Sequence, residues 1–100
     1  MMEKLYTSES AGERLAAIAF LQIKPDAKYL DWLADRMAAE NPFVRFQAAL
    51  ALRNAARSLS QEHRNALGAA IDKAKKTLES QKATDTDEYV KLVEAKTEIG

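Results

Sequence analysis

The chain has 100 residues, of which 30% are charged and 47% hydrophobic, and its formal net charge is zero. A chain of this length forms one domain with a modest core, and because it contains no cysteine we exclude disulfides and thiol chemistry and expect a reducing compartment. It has neither an apolar run of signal-peptide length at its N-terminus nor the roughly 20 apolar residues of a membrane-spanning helix, so we expect a cytoplasmic protein with no membrane contact.

Two helices are predicted in the first 40 residues. The sequence Ser10-Ala11-Gly12-Glu13 has the spacing of a capping box, so the first helix starts there and ends at Pro25. Asp26 can cap the second helix, which runs to about Ala39. This second helix has a single apolar stripe formed by Leu30, Leu33, Ala34 and Met37.

The third helix has the most informative sequence in the chain. Asn41 is a strong cap, and Pro42 takes the first helical position, where its missing N–H does no harm. The helix continues beyond Ala56 and is apolar nearly all round, so we expect neighbours on more than one side. At about 100° per residue it has two stripes that we expect to be buried. The first contains Val44, Ala48, Ala51, Leu52, Ala55 and Leu59, and the second contains Phe43, Phe46 and Leu50.

The last two helices are predicted after residue 59. Ser60 can cap the fourth helix, which ends near Ser80 and is followed by a stretch with the composition of a linker. A second capping box, Asp85-Thr86-Asp87-Glu88, precedes the fifth helix, and no segment has the pattern of a strand. The apolar positions are Leu67, Ala70, Ile71, Ala74 and Leu78 in the fourth helix and Tyr89, Leu92, Val93 and Ile99 in the fifth.

The sequence also repeats itself. A shift of 31 residues places 13–21 on 44–52, with Arg, Ala and Leu at matching positions, and a period of this size is typical of helical solenoids. Residues 29–37, a short turn and residues 41–52 resemble a HEAT repeat of the short type. The resemblance includes the Pro-x-Val-Arg entry and the Ala-Ala-x-Ala-Leu run of the second helix in that repeat.

The HEAT resemblance covers the first four helices and is poor in the fifth, where Glu94 and Lys96 replace small or apolar residues. It implies an all-α protein whose antiparallel helical hairpins stack in a short right-handed solenoid, acting as a scaffold for partners. It also implies that Arg14 and Arg45, which share a repeat position, pair with acidic groups of adjacent turns. We therefore predict one domain over 1–100, with an N-terminal extension (1–9), repeat-like helices (10–80) and a linker plus C-terminal helix (81–100).

One flank of the second helix is a candidate partner-binding site. Tyr29, Trp32 and Arg36 have the spacing that places them together, away from the Leu30 stripe. Aromatic and arginine side chains are the most frequent interface hot spots. The alternative is that Trp32 packs on a neighbouring helix or on Leu5 and Tyr6.

A second candidate is a polyanion surface, because residues 41–82 have a net charge of +5 between flanks of −2 and −3. Its candidate residues are Arg53, Arg57, Arg64 and Lys75. Complementary charges on neighbouring helices are the simpler explanation, so we do not expect a nucleic-acid partner.

Nothing in the sequence indicates catalysis. His63 is the only histidine, so the common zinc sites are excluded, and no serine lies in a recognisable nucleophile motif. We therefore expect no enzyme activity, catalytic residue, metal, cofactor or small-molecule substrate. The favoured function is a non-catalytic protein-interaction module, and the alternatives are a polyanion-binding domain or an accessory part of a larger enzyme of the bacterial pigment-lyase type. A homodimer is a further candidate, because the first helix is apolar over much of its surface.

Overall fold

The computed structural model describes residues 2–99, and all the secondary structure in this range is helical. This confirms the all-α prediction, but five predicted helices become six, because a short helix lies in the N-terminal extension. In chain order the helices are α1 (Met2–Tyr6), α2 (Ala11–Ile23), α3 (Leu30–Ala39), α4 (Pro42–Ser58), α5 (Arg64–Ser80) and α6 (Asp87–Ile99). Short 3-10 turns, Ala27–Tyr29 and Gln61–His63, precede α3 and α5.

Two of the predicted caps start their helices as expected. The Ser10 hydroxyl accepts a hydrogen bond from the Glu13 N–H at 3.4 Å, and Asn41 Oδ1 accepts one from the Val44 N–H at 3.0 Å. Each bond satisfies one of the backbone donors that a helix leaves unpaired at its N-terminus. The starts of α2 and α4 are therefore encoded locally.

Two other predicted caps act differently. Asp26 accepts from the Lys28 N–H at 3.0 Å and caps the 3-10 turn, so α3 begins one turn later than predicted. Ser60 donates its hydroxyl hydrogen bond to Glu62 and makes no cap bond to the backbone. The tighter turn takes up the first residues of each predicted helix.

The connection between α5 and α6 is a hydrogen-bonded turn. Lys82 has a φ of 58°, and the next N–H, of Ala83, donates to the Leu78 carbonyl at 2.8 Å, which closes α5 in the manner of a Schellman motif. The Thr86 hydroxyl then accepts from the Tyr89 N–H at 3.3 Å, one residue later than the predicted cap. This turn fixes where α6 begins.

The helices pack in two layers. One layer contains α2, α4 and α6 side by side, and the other contains α3 and α5; α4 packs on α3, α6 on α5, and α1 on α2. The pairs Arg45–Glu88 and Arg53–Glu94 advance in the same direction along α4 and α6, so these two helices run parallel. The molecule measures 34 × 32 × 17 Å, and its short dimension fits two layers of helices about 10 Å apart.

The core lies between the layers and is centred on α4. The predicted stripes of α3 and α5 are buried completely, and so is the first stripe of α4 from Val44 to Ala55. Ala48, Ala49 and Ala51 have no exposed surface, and their small size lets neighbouring helices approach closely.

The predicted burial of the second α4 stripe is wrong. Phe43 is 62% exposed, and Phe46 and Leu50 are only partly buried. The error has a physical cause: α2 and α6 flank α4 within the layer and α3 packs beneath it, which leaves only the fourth side of α4 toward solvent. Val93 of α6 was also expected to be buried and is 42% exposed.

Replacing Ala51 with leucine should destabilise the protein by about 1–3 kcal/mol, because the added carbons have no space in the core. The control is Ala66→Leu on the exposed side of α5, which we expect to change stability by less than about 0.5 kcal/mol. Urea unfolding monitored by circular dichroism measures both. Equal stabilities for the two variants would contradict close packing at Ala51.

Candidate functional site

The predicted aromatic flank is assembled but covered by α1. The Tyr6 ring stacks on Tyr29 with centroids 3.7 Å apart and meets Trp32 edge-on at 4.7 Å. Trp32 Nε1 donates to the Tyr6 carbonyl at 3.0 Å, and the Arg36 guanidinium lies 4.5 Å from the Trp32 ring centre. The three candidate residues thus lie together as predicted, and their contacts match the alternative in which Trp32 packs on Tyr6.

A buried carboxylate lies beside this flank. Glu40 has a side chain that is 2% exposed, and it accepts hydrogen bonds from both Arg14 and Arg36. Arg14 also donates to the Ser8 carbonyl at 2.9 Å, which ties the segment before α2 to the start of α4. The hydrogen bond from Arg14 lowers the pKa of Glu40 below its usual value, and the hydrogen bond from Arg36 lowers it by a smaller amount. Together they outweigh burial, which raises this pKa.

The two arginines that share a repeat position make equivalent pairs. Arg14 of α2 binds Glu40, just before α4, and Arg45 of α4 binds the buried Glu88 of α6 at 3.1 Å. Each pair joins one helix of the layer to the start of the next. The ladder that the HEAT resemblance implied for Arg14 and Arg45 is therefore present in the contacts.

The four polyanion candidates are not gathered into one cationic surface. Arg53 pairs with Glu94 at 3.2 Å and Arg57 with Glu98 at 3.5 Å, so both are partly neutralised by α6. Arg64 and Lys75 lie on α5, about 16 Å apart along its axis, and Lys75 Nζ is 5.9 Å from the Tyr89 ring centre.

The most exposed large apolar side chains lie elsewhere, on the adjacent helices α2, α4 and α6 of one layer. Five large apolar side chains are exposed: Phe20 by 46%, Ile23 by 86%, Phe43 by 62%, Val90 by 48% and Val93 by 42%. The partly buried Phe46 and Leu50 lie among them on α4. We call these seven residues the apolar face.

Polar contacts between the helices set the relative heights of the residues of the apolar face. The Gln22 amide donates to the Gln47 carbonyl at 3.0 Å, and the Asn54 amide donates to the Gln22 carbonyl at 3.1 Å. These bonds place Ile23 level with the middle of α4. The ion pairs Arg45–Glu88 and Arg53–Glu94 likewise place Val90 and Val93 level with the middle of α4. The exposed side chains of three adjacent helices therefore lie at similar heights.

Sequence reasoning missed this face because it assigned Phe43, Phe46 and Leu50 to a second buried side. The available signal was that Phe20 and Ile23 also fall outside the buried positions Ala17, Ile18 and Leu21 of α2. Apolar residues that lie outside the buried stripes of α2, α4 and α6 indicate a surface shared by these three helices.

The described residues offer little for chemistry. They contain no group of three or more side chains that could hold a metal ion, and His63 lies 3.5 Å from Glu62 at the surface. Two open grooves, of about 580 and 400 Å³, lie along α5. Asp72 lines both grooves, and its Oδ1 lies 2.9 Å from Lys96 Nζ. No helix in residues 2–99 has both the length and the apolar composition needed to cross a bilayer.

Comparisons with protein-family models, with curated proteins and with solved structures find no match for this chain. Membership of the HEAT family therefore stays a prediction that rests on the residues of this sequence. The geometry of the surface is the basis for any functional proposal.

Removing the Tyr6 ring should expose Trp32, the only tryptophan of the chain. We expect Tyr6→Ala to shift tryptophan emission to longer wavelength and to lower stability by about 2–4 kcal/mol. Tyr89→Phe, which removes only the hydrogen bond to Glu79, should leave the emission unchanged. An emission spectrum that is insensitive to Tyr6→Ala would mean that the indole is already in water.

The Glu40 pairs should make stability depend on pH. Because the folded-state pKa of Glu40 is lowered, its stabilisation is present above the unfolded pKa of about 4.3 and is lost as the pH falls through the folded value. Glu40→Gln should cost about 1–3 kcal/mol at pH 7 and should weaken the loss of stability on acidification. The measurement is urea unfolding from pH 7 to pH 3, with exposed Glu9→Gln as control. Parallel pH curves for wild type and Glu40→Gln would contradict this role.

Proposed function

We propose that the chain is a non-catalytic protein-interaction module, built as a short right-handed HEAT-like solenoid, and that its apolar face binds protein in the cytoplasm. The observation that carries this proposal is the exposure of five large apolar side chains on three adjacent helices. Groups of exposed large apolar side chains are uncommon on proteins that act alone, and they mark interaction sites.

Three features support the solenoid part of the proposal. Helices α4 and α6 are parallel within one layer, as successive equivalent helices of a solenoid are. The Arg14–Glu40 and Arg45–Glu88 pairs recur from one step to the next. The sequence repeat of 31 residues relates α2 to α4. In such an architecture each step contributes one helix to a shared outer surface.

The surroundings of the apolar face suit protein binding. The ion pair from Arg57 to Glu98 lies at the edge where α4 and α6 end, and the pair from Arg53 to Glu94 lies between the apolar side chains of these two helices, so the face combines apolar and polar groups as protein interfaces do. Burial of each large apolar side chain in an interface contributes about 1.5–3 kcal/mol to the free energy of binding. Binding through this face needs no covalent step. The face is a better candidate than the Tyr29, Trp32 and Arg36 flank, because the Tyr6 carbonyl already accepts a hydrogen bond from the indole N–H of Trp32 and the Tyr6 ring covers one face of Tyr29.

The test uses the intact tagged chain as bait in an extract of its source cells. The face variant is Ile23→Ser with Phe43→Ser, and the matched control is Ala66→Ser with Ala69→Ser, which changes two exposed residues of α5. Relative to the wild type, we expect the face variant to capture at most about one tenth of each enriched protein. The enriched proteins include untagged copies of the chain. The control should retain them, and circular dichroism should show that both variants are folded. Equal retention by the two variants would contradict the proposal.

A further inference from the structure

The buried Glu40 is connected to the end of α1 through Arg14. The guanidinium of Arg14 binds both carboxylate oxygens of Glu40, one from Nε and the other from Nη2. From Nη1 it donates to the Ser8 carbonyl at 2.9 Å, two residues after α1 ends. Because a guanidinium is planar, binding at two of its nitrogens fixes the direction of the third. Glu40 therefore aims the hydrogen bond that holds the chain directly after α1.

A second route leads from Glu40 to α1 through Arg36. Arg36 donates from Nη1 to Glu40 at 3.2 Å and from Nε to the Trp32 carbonyl at 3.1 Å. Held in this way, the guanidinium lies 4.5 Å from the centre of the Trp32 ring. The indole Nε1 in turn donates to the carbonyl of Tyr6, the last residue of α1, at 3.0 Å. The same carboxylate thus supports the ring that binds the end of α1.

Helix α1 depends on such contacts to stay in place. It has five residues, whereas an isolated helix is marginal in water even at roughly 12–15 residues. Of its described side chains, Tyr6 is buried, Leu5 is partly buried and Lys4 is exposed. Segments that bury few apolar side chains open at a lower free energy than the core does.

From these contacts we infer that α1 is a lid that opens while α2 to α6 stay folded, and that Glu40 is the latch that keeps the lid closed. In the closed state the Tyr6 ring covers one face of Tyr29, and the Tyr6 carbonyl occupies the Trp32 indole N–H. In the open state both groups become accessible. Glu40 is a positioning residue, because it acts on α1 through the two arginines. The inference is independent of the proposed function of the apolar face.

Glu88 provides a matched control for the latch. It is the buried carboxylate of the equivalent pair, and it accepts from Arg45 at 3.1 Å. Arg45 also donates to Gln81 at 3.2 Å, so this pair leads to the turn between α5 and α6. Glu40→Gln and Glu88→Gln each remove one buried charge and keep the shape of the side chain. A general loss of stability should therefore follow both changes, whereas loss of the latch should follow Glu40→Gln alone.

Hydrogen exchange of the Trp32 Nε1–H, followed by NMR on the full chain at pH 7, measures the opening of the lid. Its protection relative to free tryptophan is compared with the protection of the Ala51 amide relative to an unstructured peptide, since Ala51 lies in the core. In the wild type we expect the indole to be at least about tenfold less protected than the Ala51 amide. Glu40→Gln should lower the indole protection by at least about a further tenfold, and Glu88→Gln by less than about twofold.

Equal protection of the indole and the Ala51 amide in the wild type overturns the inference, because Trp32 would then be exposed only when the core opens. Equal effects of the two glutamine variants on the indole overturn the role of Glu40. If circular dichroism shows that Glu40→Gln does not fold, Arg14→Lys takes its place. Lysine keeps the positive charge beside Glu40 but lacks the fork that joins this carboxylate to the Ser8 carbonyl. We expect the same loss of indole protection, and unchanged protection in Arg14→Lys overturns the latch.

Discussion

The packing of α4 on three other helices is the constraint on which the rest of the structure depends. Four alanines, Ala48, Ala49, Ala51 and Ala55, are buried along it and allow α2, α3 and α6 to approach α4 closely from three sides. The larger Phe43, Phe46 and Leu50 are left on the fourth side. The same helix therefore builds the core and supplies the centre of the exposed apolar face.

Buried ion pairs set the register of that layer. Arg14 reaches Glu40 and Arg45 reaches Glu88, each from one helix to the start of the next. Removing such carboxylates from water is costly, and the pairs offset that cost only when the geometry is good, so they favour one alignment of the helices over others. Height along the layer is thereby fixed, and this keeps the apolar side chains of α2, α4 and α6 level.

Local signals predicted the local structure well. The caps Ser10 and Asn41 and the stripes of α3 and α5 are where the sequence indicated. The arrangement of the helices was harder to predict, because periodicity shows which residues share a side of a helix but not which side meets a neighbour. For this reason Phe43 was wrongly predicted to be buried. The contact of Trp32 with Tyr6 joins residues 26 apart, and the sequence offered it only as the alternative to a binding flank, because the pattern of the five-residue α1 was too weak to predict that helix.

The apolar face contains all three phenylalanines of the chain, Phe20, Phe43 and Phe46, while the single tryptophan lies under α1. Fluorine NMR of fluorophenylalanine-labelled protein therefore observes the face alone. The account predicts that adding a protein captured by the wild type shifts all three fluorine resonances while the emission of Trp32 stays constant. Association that leaves the three resonances unmoved, or that changes Trp32 instead, would contradict the assignment of this face as the binding surface.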